Sequence, residues 1–530
     1  MSPHRMLWLW SAVLFVVVAL LYLPTLRGGF VYDSIAQVLY SDYIHAPANW
    51  VDVLTLRVVG QDELDRNRPL HLASLMLDAA VWKKEPFGYR LTSVLLHALN
   101  AALLFVFATM ALRWRTNGRD ERLARPSTIA RARGPHAPTI IFVAAFGSLV
   151  FALHPLVVEA VAESSNREDL LVLLPMLVGL IGILRPIRSP WSLNALFIVC
   201  SFLAVLAKES GIAVPFIFGV ACWLLGSLRR HLPGLIGALF AVGVFLAASY
   251  AFRPEASGIF AYSPAPLAED AWTMLAVQAR IWTLQLWQIV WPWNLSAHYP
   301  PASIGGIAEP LAFGVLVMAL IAVLFLWRFS RLAMLGVAIY VLALLPASNL
   351  LPQYHPIADR YLYVPLAGLG MIAAALVHRL CVRYPSGFAG AAIIAGLLVL
   401  ICLEYAANLR RQFVWQQPAT LWSDVLRQYP NMSQAQIGMA NVHYRAGDFQ
   451  AARAAATEAV VSSGGGWADA WALRAICEWQ TGAPEQAVGS LRQARRLSRV
   501  YNDGTSAPQA MILSPEQLSV LFELMGEAGN

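Results

Sequence analysis

Charged residues are scarce in this chain. Asp, Glu, Lys and Arg make up 13% of its 530 residues, against about 25% in a soluble domain. That shortage excludes an ordinary soluble enzyme. Cysteine is also rare. The five (Cys200, Cys222, Cys381, Cys402 and Cys477) are scattered, four of them in or beside apolar runs, which excludes a disulfide framework and a Cys-based metal site. There is no Gly-rich phosphate loop, no Ser-His-Asp order and no Cys/His metal spacing. The formal charge of +7 does not indicate nucleic acid, because the arginines cluster in short loops between apolar runs.

Long apolar runs fill the space left by the missing charge. Hydrophobic residues make up 58% of the chain and the mean hydropathy is +0.57. A helical span needs roughly 17–25 apolar residues, and eleven segments qualify, near 7–26, 88–112, 138–157, 168–185, 191–207, 211–228, 233–252, 310–327, 332–347, 363–380 and 387–408. Leu7 to Leu23 follows Arg5 without a small-x-small cleavage site after it, so it reads as an uncleaved first span. The segment 271–291 is apolar but carries Arg280 at its centre, which costs roughly 2.5–3.5 kcal/mol in a span. It reads as a helix lying on or dipping into the outer face. Segments 47–60 and 69–82 read as amphipathic surface helices: Trp50, Val53, Leu54 and Val58 share one face, and Leu72, Leu75, Met76 and Ala79 another.

Lys/Arg bias in short loops sets orientation. Arg113 to Arg133, Arg185 and Arg188, Arg229 and Arg230, Arg328 and Arg331, and Arg379 and Arg383 all fall on one side if eleven crossings start from a cytoplasmic N-terminus. The expected architecture is therefore an all-α polytopic bundle over 1–408, with outer loops 27–87 and 253–309. The composition then changes, and 409–530 is polar, Ala-rich and helical in pattern. Tyr444, Gly447, Ala452 and Ala459 recur 35 residues later as Trp479, Gly482, Ala487 and Ala494. That period marks a tetratricopeptide-type helical domain outside the cytoplasm, with 514–526 as a capping helix, and such arrays bind peptides or proteins on a concave face.

Acids and bases collect on the outer ends of the spans. Asp33 lies just past the first one, in Leu26-Arg27-Gly28-Gly29-Phe30-Val31-Tyr32-Asp33-Ser34. A carboxylate at that depth has a raised pKa and can act as a proton acceptor; its bland role is to cap a turn. Arg68, His71 and Asp78 belong to the first outer loop. His154, Glu159, Glu163, Arg167, Glu168 and Asp169 follow span three, and Lys208-Glu209 form the turn between spans five and six. His298 ends the dipping segment, and Asp359-Arg360-Tyr361 precede span ten. Singly, each has a structural reading: Lys208-Glu209 as a solvated turn, Glu159 with Arg167 as an ion pair, His97 and Asn100 as interhelical glue. Together, facing a side that carries only arginine-rich loops, they outline an outer-face site. No nucleotide pool exists there, so an enzyme would draw on a donor carried in the lipid. A polyprenyl-phosphate sugar suits a carboxylate that deprotonates a hydroxyl and cations that hold the departing phosphate.

Gly29-Phe30-Val31-Tyr32-Asp33 resembles the GFVYDD opening of the transmembrane and tetratricopeptide-repeat-containing O-mannosyltransferases and their bacterial relatives, which are C-type (GT-C) glycosyltransferases. Arg68-Pro69-Leu70 is similar to YRPL, and Pro86-Phe87-Gly88-Tyr89-Arg90 with Leu96-His97-Ala98-Leu99-Asn100 to PFGYH…LLHLLN. His154 to Ala162 is similar to HPVHTEAVA, Asn166 to Leu171 to GRADLL, Ala207 to Ile212 to SKEQGI, and Ala358 to Pro365 to AERYLYLP. Each motif is short, but their order covers nearly the whole chain. The resemblance implies inverting transfer of a sugar, commonly mannose, from polyprenyl phosphate to a hydroxyl, here of protein Ser/Thr. It implies Asp33 as catalytic base and Arg360, Lys208 and Arg68 as binders of the donor phosphate, with His154, Glu159, Asp169, Glu209 and His298 as supporting polar residues. The family's second acid is replaced by Ser34, for which Asp42, Glu159 and Asp169 are the substitutes to consider. No cofactor is expected, the lipid-linked sugar being a substrate, and no metal: the O-mannosyltransferases resembled need none, although some GT-C oligosaccharyltransferases do. The expected partners are the polyprenyl-phosphate sugar, membrane lipids and an acceptor protein or peptide on the repeats, with no nucleic acid, in a bacterial plasma membrane.

Two other classes compete. A non-catalytic scaffold would use its repeats to recruit envelope proteins. A transporter would carry an internal repeat among its spans, and none is visible. The eleven-span order has a direct check: a reporter active only in the cytoplasm, fused after Asn530, stays silent, and a signal from it would break the order.

Overall fold

The computed structural model describes residues 3–61, 63–116, 137–185, 189–252, 270–328, 330–349, 355–498, 501 and 513–527, and among them every regular element is helical. The arginines between 117 and 133, Arg188 and residues 253–269 of the second outer loop lie outside the described residues. All eleven apolar segments fall on helices: α1 (Pro3–Leu21), then, after the outer-loop helix α2 (Pro69–Trp82), α3 (Pro86–Thr116), α4 (Ala137–Leu153), α5 (Glu168–Leu184), α6 (Pro190–Ala207), α7 (Ala213–Leu224) and α8 (Leu228–Ala251). Helix α9 (Ala271–Val290) holds the segment with Arg280. There follow α10 (Glu309–Trp327), α11 (Arg331–Leu344), α12 (Tyr363–Arg383) and α13 (Gly387–Val414). Among the described residues, five helices are long and apolar enough to cross a bilayer by themselves, six if the pair Thr139–Leu153 and Pro155–Ala162, bent by 54°, is one span. Others, such as Arg5–Leu21 and Arg331–Ala347, are apolar but shorter. The chain is a multi-pass membrane protein.

The bend has a local cause. His154 precedes Pro155 and is extended (φ −63, ψ 130), because the proline ring disfavours helical backbone in the residue before it. Packing between helices rests on close approach rather than on apolar burial, since lipid is as apolar as a leucine side chain. Helix α12 lies between α4 and α11. Gly370 meets Gly147 of α4 backbone to backbone, and Gly368 meets Gly336 of α11 in the same way. His97 and Asn100 are the interhelical glue their positions imply: His97 reaches Tyr363 Oη at 2.9 Å and the Ala152 carbonyl at 3.0 Å, and Asn100 donates to the Leu170 carbonyl at 3.0 Å. The periphery faces lipid. Only 6% of the most apolar window of α10, and likewise of α13, is buried, against 67% in α3.

The outer elements partly depart from expectation. Segment 69–82 is a helix with Leu72, Leu75, Met76 and Ala79 buried. Segment 47–60 is not one amphipathic helix, because Leu56 adopts a left-handed conformation (φ 62) that splits it; Val53 and Val58 are buried, whereas Leu54 is 69% exposed. Arg280 pairs with Glu309 of α10 at 2.8 Å.

The change in composition after Asn408 falls inside α13, not between helices. Beyond it stand α14 (Pro418–Gln428), then two helical hairpins, α15 (Ser433–Arg445) with α16 (Phe449–Ser462) and α17 (Ala468–Gln480) with α18 (Pro484–Leu497), and finally α19 (Pro515–Glu527). Each helix of the second hairpin begins 35 residues after its counterpart, and Gly447 (φ 77) and Gly482 (φ 74) turn the chain in the left-handed region where glycine is cheapest.

Gly147→Ala places a Cβ against the Gly370 carbonyl and is expected to destabilise the bundle by about 2 kcal/mol. Gly243→Ala, with nothing within 4 Å, serves as the neutral control in thermal unfolding of the solubilised protein.

Candidate active site

A cavity of about 870 Å³ opens between helix ends that all belong to one face of the bundle. Asp33 enters it after α1, Arg68 before α2, Glu168 and Asp169 at the start of α5, Lys208 and Glu209 after α6, and Arg360 before α12. Arg185, Arg229, Arg230, Arg328, Arg331, Arg379 and Arg383 sit at the opposite ends of the same set of helices. Away from the charges the wall is apolar along Val172, Met176, Ile217, Leu246, Ala343 and Val364, with Gln37, Ser165, Asn166 and Ser210 as neutral polar residues.

The loop that carries Asp33 is fixed from both sides. Arg90, buried on α3, donates to the Gly29 carbonyl at 2.6 and 3.1 Å, to Thr25 at 3.2 Å and to Trp415 at 2.9 Å. Its guanidinium fills the space a side chain at Gly28 would need. The Gly29 N–H donates to the Gln416 carbonyl at 2.9 Å. Tyr32 has a left-handed backbone (φ 49) and packs against Trp422 in a tilted contact at 5.6 Å and edge-on against Trp415 at 6.0 Å between centroids. Asp33 itself caps nothing. Ser34 Oγ closes the turn by accepting the Val31 N–H, and among the described residues no hydrogen bond or ion pair reaches the Asp33 carboxyl. Burial raises that carboxyl to about 6, opposed by the Arg360 guanidinium and reinforced by Asp65, Glu159 and Glu168.

Every cation in the cavity is already held. Lys208 Nζ lies 2.6 Å from Asp169 and 3.4 Å from Glu168. Burial opposes its charge, but these two carboxylates hold its pKa above the ordinary value. The expectation of a solvated turn at Lys208 therefore fails, because the side chain is only 10% exposed. Arg68 pairs with Asp65 at 2.8 Å, Glu209 at 3.1 Å and Glu168 at 3.5 Å. Arg360 pairs with Glu159, which also accepts its backbone N–H at 3.1 Å. The Tyr361 ring lies against the two most buried cations of the cavity, with Lys208 at 5.7 Å and Arg360 at 5.4 Å from its centroid. Arg167, the expected partner of Glu159, pairs instead with Asp78 at 2.6 Å.

Asp33, Arg68, Asp169, Lys208, Glu209 and Arg360 thus meet in one cavity, with Glu159 directly behind Arg360. His154 and His298 do not line it. The His154 ring is buried as a cap, accepting the Leu156 N–H at 3.3 Å and lying 3.1 Å from the Ile289 carbonyl. His298 packs edge-on against His355 at 4.9 Å, and burial, then Arg360, lowers it to about 4. Glu168, Glu163, Arg90 and Tyr361 belong to the assembly although sequence reasoning gave them no role. Glu163 and Glu168 sit in a polar turn of the kind that is usually solvated. No local pattern can give the Arg90 contact with Trp415, 325 residues away.

No family model matches the chain. It is 23% identical over 438 residues to a protein O-mannosyl-transferase of Caenorhabditis elegans, covering 80% of this chain and 58% of that one. It is 23% identical over 493 residues to the human protein O-mannosyl-transferase TMTC1, covering 81% and 52%. Its relatives are protein O-mannosyl-transferases. These matches return the resemblance read from the motifs, and the chain spans little more than half the length of either relative. Among solved structures, the crystal structure of ArnT from Cupriavidus metallidurans bound to undecaprenyl phosphate aligns with a TM-score of 0.38 and 14% identity, over 91% of this chain and 79% of that one.

Arg90→Lys keeps the charge but cannot serve three carbonyls at fixed angles. It is expected to destabilise the fold by about 2–4 kcal/mol and to expose 27–33 to limited proteolysis.

Proposed function

We propose that the chain is an inverting glycosyltransferase that moves a sugar from a polyprenyl-phosphate donor to a hydroxyl acceptor, a protein Ser or Thr, on the outer face of a bacterial plasma membrane. One observation carries the reading: among the described residues, Asp33 is an unpaired, raised carboxyl that shares one cavity with Arg68, Lys208 and Arg360, each of these cations being held by a carboxylate. The names of its relatives support it. Asp33 takes the proton of the acceptor hydroxyl. The freed oxygen attacks the anomeric carbon from the side opposite the phosphate, a C–O bond forms, the bond to phosphate oxygen breaks, and polyprenyl phosphate leaves with both electrons of that bond. The three cations, already oriented by their carboxylates, take up the charge that grows on the leaving oxygen. The step balances with donor and acceptor alone. The arginine-bearing helix ends face the cytoplasm in this reading, as does the N-terminus, and residues 409–530 form tetratricopeptide-type repeats outside it that present the acceptor protein.

Asp33→Asn is expected to abolish transfer while leaving the protein folded, read as loss of gene-dependent glycans in mass spectra of envelope proteins; undiminished glycans would remove Asp33 from the reaction. The pH dependence has a definite sign. A base works as carboxylate, so turnover falls as pH drops through about 6. Stability runs the other way: the folded-state pKa is raised above the ordinary 3.8, so the stabilisation is present below the unfolded value and lost as pH rises through about 6. At pH 7 Asp33→Asn therefore unfolds at a higher temperature than the parent.

A further inference from the structure

The resembled family places a second acid directly after the first, and this chain has Ser34 there. None of the three acids considered from the sequence stands beside Ser34. Asp42 is exposed, Glu159 is committed to Arg360 and Asp169 to Lys208. The acid that reaches Ser34 is Glu163, fully buried in the turn before α5. Its Oε1 accepts the Ser34 backbone N–H at 2.8 Å, along with the Ser165 hydroxyl at 2.7 Å and the Ser165 N–H at 3.4 Å. Its Oε2 lies 3.3 Å from Ser34 Oγ.

Ser34 Oγ has one proton and gives it to the Val31 carbonyl at 2.6 Å, while it accepts the Val31 N–H at 3.1 Å. The contact with Oε2 is then a full hydrogen bond when Glu163 is the donor. Its surroundings favour that protonated form: burial pushes Glu163 up to about 7, Ser165 opposes the rise, and the Asp33 carboxyl adds to it. Glu163 is fully buried and does not line the cavity. It holds the peptide immediately after Asp33.

We infer that Glu163 supplies from across the site the acid that the family carries at position 34, acting as the positioning residue that fixes the Asp33–Ser34 peptide and so aims the Asp33 carboxyl. Its effect on turnover rests on the transferase reading above; its coupling to Ser34 does not.

The test uses the full chain, returned to a strain that lacks it, with gene-dependent glycans on envelope proteins counted by mass spectrometry. Glu163→Ala lowers product about tenfold or more, since small misplacements of a reacting group are costly. Glu163→Gln stays within about threefold of the parent, because its amide accepts from the Ser34 N–H and donates to Ser34 Oγ as the protonated acid does. Ser34→Asp alone sets two buried acids against each other and loses about tenfold. The exchanged pair Ser34→Asp/Glu163→Ser recovers to within about threefold of the parent. Parental product from Glu163→Ala, or an exchanged pair no better than Ser34→Asp, overturns the inference. If the unaltered chain yields no gene-dependent glycan, the transferase reading fails instead. The inference is then decided by thermal unfolding of the solubilised variants: a pair that recovers the temperature lost in Ser34→Asp upholds the coupling, and simple additivity overturns it.

Discussion

The architecture of the cavity turns on an imbalance among buried and half-buried charges. Arg68, Lys208 and Arg360 are each tied to at least one carboxylate, and Asp33 is left over. A buried charge without a partner is expensive, and pairing it recovers much of that cost only when geometry is good. The three pairs therefore fix each cation in place, with the Tyr361 ring in cation–π contact with both Lys208 and Arg360. The same network works against Asp33. Glu159 and Glu168, which hold cations, also push its carboxyl upward, while Arg360 alone is the cation that lowers it. In the proposed reaction a leaving phosphate takes its place among cations whose orientation has already been set.

Positioning depends on distant parts of the chain. Asp33 is flanked by Tyr32, pinned by Trp415 and Trp422, and by Ser34, held by Glu163. Arg360 follows Asp359, which pairs with Arg411 at 3.3 Å and accepts the Tyr299 hydroxyl at 2.6 Å. Arg411 also meets Asp424 of α14. The chain beyond the last apolar segment thus grips both the Asp33 loop and the segment that carries Arg360. A left-handed Tyr32 costs about 1–3 kcal/mol and persists only where its surroundings impose it. Here the aromatic rings of α14 and of the end of α13 do so.

The helical elements are legible in the order of residues alone. Long apolar runs and a sustained 3.6-residue period are strong local signals for helix, so all eleven apolar segments, helix 69–82 and the 35-residue repeat appear where the pattern places them. Segment 47–60 misled because its apolar spacing fits a helix, yet a left-handed Leu56 divides it. The motifs also named most of the residues that meet in the cavity, since Asp33, Arg68, Lys208 and Arg360 each lie at a helix end on one face.

How those residues pair is fixed by the packing of the folded chain. That Arg167 takes Asp78 and leaves Glu159 to Arg360, that Lys208 is buried, and that His154 and His298 stand outside the cavity follow from contacts between segments far apart in the chain. Periodicity and hydropathy describe each helix against its solvent and carry no information about which neighbour it meets. The partner of a buried charge is chosen by that meeting alone, and so is the loneliness of Asp33.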